Sequence, residues 1–150
     1  MAHFETTLTL RCPLHQVFDF HTDERNLSRI SPSFPEIIIL NQKELRPLNR
    51  EVTLLFKIFG VIRQKLKLQV EFIPSVSIND EQREGPFTFF RHSRNFREHT
   101  PGVTTMHEII DYDLPYGPLG IIFDKLIFFP QLRRMFAYRH KKTKEILEHR

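Results

Sequence analysis

The sequence contains no tryptophan and a single cysteine, Cys12. One cysteine cannot form an intrachain disulfide, so nothing calls for an oxidising compartment. Long apolar runs are also missing. The most apolar stretch, Gly120–Phe129, is interrupted by Asp124 and Lys125 and is too short to span a bilayer. The opening MAHFETTLTLRC lacks the basic-then-apolar pattern of a secretion signal. The expectation is a soluble cytoplasmic protein with no transmembrane segment. No H-E-x-x-H or clustered Cys/His pattern occurs, and His15 and His21 stand six apart, off one helix face. Neither a metal nor another cofactor is expected.

A basic binding face is missing as well. The net charge is +4, but residues 133–150 hold seven Lys/Arg against two Glu, and the rest of the chain is close to neutral. A nucleic-acid binder more often shows a basic stripe with interleaved aromatics, so no nucleic-acid partner is expected. The basic tail reads as a solvated helix face.

Fifteen phenylalanines are present in 150 residues. That length suits one domain, residues 1–150, and is short for two. Phenylalanine is bulky and has no polar handle, so this many favour a wide apolar interior, filled or hollow.

The periodicities give the element order. Residues 3–11 alternate, with Phe4, Thr6, Leu8 and Leu10 on one side. Pro13 opens a short helical pattern carrying Val17, Phe18 and Phe20. A second short helix is expected from an Asp23 N-cap through Leu27 and Ile30, stopped by the prolines of residues 31–35. Strands follow at Glu36–Leu40, at residues 52–58, and at 65–72, where Leu66, Leu68, Val70 and Phe72 oppose Lys65, Lys67, Gln69 and Glu71. Gly60 is placed for the turn between the last two. Val76 and Ile78 begin another strand, and residues 89–99 and Val103–Leu114 pair through Pro101-Gly102. From Leu119 a helical period takes over. It predicts Ile122, Leu126, Phe129, Leu132 and Phe136 against the sheet, with His140 and Thr143 as polar steps and a kink or break at Pro130. Helices kept apart from a run of strands indicate an α+β fold with a sheet laid on a helix.

The stretch FFRHSRNFREH, residues 89–99, raises the functional question. Phe90, His92, Arg94 and Phe96 share the face that should be buried. With Thr100-Pro101-Gly102 as a turn, Phe90 falls opposite Tyr112, His92 opposite Ile110, Arg94 opposite Glu108 and Phe96 opposite Met106. Arg94 and Glu108 can then neutralise one another, with His92 and Tyr112 nearby. Two readings stay open: a structural pair near the sheet rim, or the polar anchor of a cavity.

Four segments resemble the START-like superfamily, also called SRPBCC or polyketide cyclase/dehydrase-type domains. They are FHTDERNLSRISPSFP (20–35), GPFTFFRHSRNFRE (85–98), MHEIIDYDLPYGPLG (106–120) and QLRRMFAYRHKKTKEIL (131–147). The resemblance implies the helix-grip fold, a curved seven-stranded antiparallel sheet around a long C-terminal helix, with two short helices after strand 1. It also implies a cavity for an apolar ligand. Relatives commonly carry an aromatic-Arg-His-x-His-x-Phe pattern in the sixth strand; here Arg94 stands in place of the second histidine. Glu108 stands where they often carry Asp.

The expected function is therefore binding of a small, mostly apolar or lipid-like ligand with one polar or anionic group. Its apolar contacts are expected from Phe56, Leu68, Phe72, Phe90, Phe96, Met106 and Ile110, and its polar contacts from His92, Arg94, Glu108 and Tyr112. The short helices and the loop to Pro35 should form part of the mouth. No firm catalytic residue emerges. A cyclase, dehydrase or hydrolase acting in the same cavity is the alternative, with His92 and Glu108 as an acid–base pair. A partner-binding module whose phenylalanines fill the cavity is the third. A cavity on the order of several hundred Å³ separates the third from the others.

Overall fold

A computed structural model of the chain describes residues 1–32, 36–46, 48–58 and 62–148. The order is β1 (Ala2–Leu10), α1 (Leu14–Thr22), α2 (Asn26–Ile30), β2 (Glu36–Arg46), β3 (Asn49–Ile58), β4 (Ile62–Ile73), β5 (Ser77–Glu84), β6 (Phe89–Thr100), β7 (Val103–Asp113), α3 (Gly117–Phe123), a π-helical turn (Asp124–Phe128) and α4 (Phe129–Glu148). The strands form one antiparallel sheet in the order β1-β7-β6-β5-β4-β3-β2. The fold is the α+β helix-grip, with the sheet curved along the C-terminal helix. Gly60, expected at the β3–β4 turn, and Ser33, Phe34 and Pro35 lie outside the described residues.

Alternation decides which face is inside. Along β7 every second residue from Thr104 to Tyr112 is buried. On β4, Leu66, Leu68, Val70 and Phe72 are buried while Lys65 and Glu71 are exposed. The pairing Arg94↔Glu108, Phe96↔Met106, His92↔Ile110 and Phe90↔Tyr112 is as the sequence predicts. The turn differs in detail. It is two residues, Pro101-Gly102, with Thr100 opposite Val103 and a bulge between Glu98 and Thr100. The bulged residue restores the register that a three-residue turn would give. Gly102 sits at φ +82°, a conformation that other residues seldom adopt.

The second short helix begins later than expected. Asp23 does not cap it; its carboxylate accepts the backbone N–H and side chain of Arg25, closing a turn before Asn26.

The C-terminal helical segment brings a larger correction. Leu132, Phe136, Thr143 and Leu147 are buried as the period predicts. Leu119, Ile122 and Leu126 are not: they are 73%, 54% and 73% exposed. Periodicity identifies an apolar face but cannot say whether the sheet extends beneath it. Here the helix projects past its support, and the inward side is taken by Gly120, Asp124 and Phe128 instead. Pro130 neither breaks nor ends the helix. The widened π-helical turn lies just ahead of it, where a proline's missing N–H and its ring would disrupt regular i→i−4 bonding.

Gly120 fixes how closely this segment approaches. A Cβ there would lie 2.2 Å from the Pro115 carbonyl oxygen, which cannot move without the backbone. Gly120→Ala should therefore cost about 1–3 kcal/mol, read as a lowered midpoint in urea at unchanged slope. An unchanged midpoint would show that α3 shifts freely.

Candidate functional site

Between the sheet, the short helices and α4 lies a cavity of about 180 Å³, open on one side. That is below the several hundred Å³ that would separate a ligand site from a cavity filled by its own phenylalanines, so the volume leaves the partner-binding reading standing; what space there is suits a small molecule or one end of a longer one. Most of the wall is apolar: Val52, Leu54, Phe56, Leu66, Leu68 and Ile110 from the sheet, and Leu132, Met135 and Phe136 from α4. Asp23, Glu24, Asn26, Leu27 and Ile30 close another side. This segment is fastened to the sheet by Arg50, which pairs with Glu24, donates to the Thr22 carbonyl at 2.8 Å and lies over the Phe72 ring.

One part of the wall is charged. Asp80 on β5, His92 and Arg94 on β6 and Arg139 on α4 line the cavity, and Glu108 on β7 lies behind them. Glu108 accepts hydrogen bonds from His92 Nε2 at 2.7 Å and His140 Nε2 at 2.8 Å. Burial pushes its carboxyl up, but the bonds from His140 and His92 outweigh burial and hold it well below the usual carboxylate range. Arg94 Nη2 donates to both oxygens of Asp80 at 3.1 Å. His92 Nδ1 lies 3.8 Å from the same carboxylate.

The expected Arg94–Glu108 pair is thus not formed, although the two residues are opposite in register. Both Glu108 oxygens are occupied by histidines, one of them from α4. Asp80, whose own register partner is His92, is Arg94's diagonal neighbour and within reach of a long side chain.

Two donors stay unmet. Arg94 Nε and Arg139 Nε are buried with no hydrogen-bond partner. The Arg139 guanidinium lies 5.1 Å over the Phe136 ring. Burial lowers its pKa to about 10, with Glu108 and Asp80 pulling up and Arg94 pushing down, so it remains a cation at neutral pH. His21 is buried beside this group and donates Nδ1–H to the Val17 carbonyl at 2.8 Å. Burial first, then Arg94, lowers it to about 4. It is neutral at pH 7.

Of the residues expected to contact a ligand, the cavity brings together Phe56, Leu68, Phe90, His92, Arg94 and Ile110. Phe72, Phe96, Met106, Glu108 and Tyr112 are outside its lining. Phe72 lies under Arg50, and Phe96 packs on Phe18 and His21. Met106 is buried in the core. Tyr112 is not beside the charged group. Its ring packs on Phe87 and Phe128, and its hydroxyl donates to Asp124, pinning the π-helical turn. Burial and the Asp124 carboxylate push its pKa up.

Sequence reasoning missed Asp80 and Arg139 and gave His140 no role. Asp80 follows Ile78 at period two, which places it inward. Arg139 and His140 follow Phe136 by three and four residues, on the buried side of α4. Among the described residues no group of His, Cys, Asp and Glu is arranged to hold a metal ion, and no helix is long and apolar enough to cross a membrane.

Residues 10–138 match the family described as polyketide cyclase / dehydrase and lipid transport. The chain belongs to this family. Solved structures similar to it agree on the fold of this polyketide cyclase/dehydrase and lipid transport domain. An aromatase/cyclase, Zhui from a Streptomyces species, is 14% identical over 97% of this chain and 95% of its own, with a TM-score of 0.72. A START superfamily protein from Mycobacterium smegmatis is 14% identical over 98% and 97%, at 0.68. A protein from Thermus thermophilus is 11% identical over 95% and 97%, at 0.73. No curated protein matches the chain in sequence.

Proposed function

We propose that this domain binds a small, mostly apolar ligand through one anionic group, held between the guanidinium groups of Arg94 and Arg139. One observation carries the reading. Two arginines whose Nε donors are buried without partners line a mostly apolar cavity, on a charged stretch of wall that also holds Asp80 and His92. A buried donor left unmet costs about 1–3 kcal/mol, which a carboxylate or phenolate would offset once the two side chains turn their Nε edges toward it. Arginine suits the task because its donors form a rigid fork that stays charged when buried. Asp80 takes only one edge of Arg94, and Arg139 has no carboxylate partner among the described residues. The cavity's size favours a single ring or the head of a chain.

The test is a titration of fluorescent fatty acids and flavonoid-like aromatics, each with a neutral analogue of similar size. Arg139→Met and Arg94→Met should weaken the acids by about tenfold or more, the worth of a hydrogen bond to a charged group, and spare the neutral probes. Unchanged preference in both variants would mean that the arginines are structural.

A second reading has one observation in its favour. His92 lies on the cavity wall with its ring held by Glu108, as an acid–base catalyst for cyclisation or dehydration would need. Turnover of a carbonyl substrate lost in His92→Gln, with probe binding intact, would select it.

A further inference from the structure

The apolar face that the sheet does not cover is the part of the molecule left without a role by the cavity. Tyr116 is 83% exposed, and Leu119, Ile122 and Leu126 follow it on the outward side of α3 and the π-helical turn. Ile121 is exposed beside them. The inward side is fixed. Gly120 lies against Pro115, Asp124 is engaged by the Tyr112 hydroxyl, and Phe128 packs on Tyr112 and Phe87. The tip is therefore a held helix with its apolar side chains turned to solvent. Twelve helical residues, 117–128, make it about 18 Å long. A contiguous apolar patch of this kind marks an interaction surface.

The charges around it say which kind. From residue 117 to 134 the only acid is Asp124, whose carboxylate is spent on Tyr112. Lys125, Arg133 and Arg134 are all exposed, on the tip or on the first turns of α4 behind it. An apolar tip whose own helical stretch carries exposed cations and no free acid, with the half-buried Asp113 before Tyr116, matches an anionic bilayer, with leucine and isoleucine side chains entering the acyl boundary and the cations at the headgroup phosphates. A tyrosine at the edge of the patch suits the headgroup level. A symmetric contact with a second copy would instead bring the same cations of both chains together.

We propose that Tyr116 and the outward face of α3 and the π-helical turn form a docking surface for an anionic lipid bilayer. Docking there sets α4's side of the cavity next to the membrane, because Phe128, Gln131, Leu132 and Met135 line it immediately after the tip. The proposal rests on the surface alone and stands or falls separately from the anionic-ligand reading.

The full chain is sedimented with vesicles of phosphatidylcholine, with and without phosphatidylglycerol. The wild type should partition onto the phosphatidylglycerol vesicles and be released by added salt. Replacing Leu119, Ile122 and Leu126 together by serine should lower partitioning by about tenfold or more while leaving the melting temperature unchanged, since all three are exposed. Lys125→Glu with Arg133→Glu should abolish the preference for anionic vesicles. Because the chain has no tryptophan, Tyr116→Trp supplies a single emitter whose spectrum should shift to the blue on insertion. Failure of the wild type to sediment overturns the proposal. So does sedimentation untouched by the serine triple. Concentration-dependent dimerisation abolished by the triple, without vesicle binding, overturns it in favour of a self-interface.

Discussion

Glu108→Gln should destabilise the protein by about 3 kcal/mol, the cost of breaking a buried, hydrogen-bonded ion group. The carboxylate has both oxygens engaged, one by His92 and one by His140, and is buried. A glutamine keeps one acceptor oxygen, and its amide must point N–H groups at the other histidine. Its charge is also gone, and with it the balance of two carboxylates against Arg94 and Arg139. Glu98→Gln is the control on the same hairpin. Glu98 is exposed and accepts the Gly102 N–H at 2.9 Å, which a glutamine oxygen can still do. Its cost should stay under about 0.5 kcal/mol. Urea unfolding of the three proteins decides it. Equal midpoints for both variants would show that Glu108 balances no buried charge.

Acid should unfold the protein earlier than its carboxylates alone require, because of His21. Its folded pKa is about 4, against roughly 6.5 for an unfolded histidine. Between those values the unfolded chain takes up a proton that the folded chain refuses. Stability from this group is therefore complete above about pH 6.5 and is lost as pH falls toward 4. At about 1.4 kcal/mol per pH unit the loss approaches about 3 kcal/mol. Glu108, held low in the fold, adds a loss of the same sign at lower pH, beginning near the unfolded carboxylate range. His21→Gln keeps a donor for the Val17 carbonyl and removes the titration. Its melting temperature should change little between pH 7 and pH 5, where the wild type's falls. Parallel slopes for the two proteins would place the titrating group elsewhere.

The parts legible in the sequence were those where local pattern and long-range pairing agree. The leucines of β4, the Pro101-Gly102 turn and the facing of Arg94 and Glu108 follow from period two and one hairpin. The partners of those charges were not legible. Arg94 turns to Asp80 because β5 lies beside β6, and His140 reaches Glu108 because α4 crosses the sheet; neither fact is local. Arg139 was hidden in a basic run. Charge counting does not phase a helix, and one inward cation looks like its solvated neighbours. Leu119, Ile122 and Leu126 show the opposite error. Their spacing is that of a buried face, and only the ending of the sheet beneath them makes it an exposed one.

The most direct measurement is a crystal structure of the wild type with the tightest-binding acid from the titration. Its carboxylate or phenolate oxygens should lie within hydrogen-bond distance of the Arg94 and Arg139 guanidinium groups, and its apolar part against Phe56, Leu68 and Met135. An acid bound with its charged group at the open side of the cavity, and both Nε donors still unmet, would contradict the anionic-ligand reading.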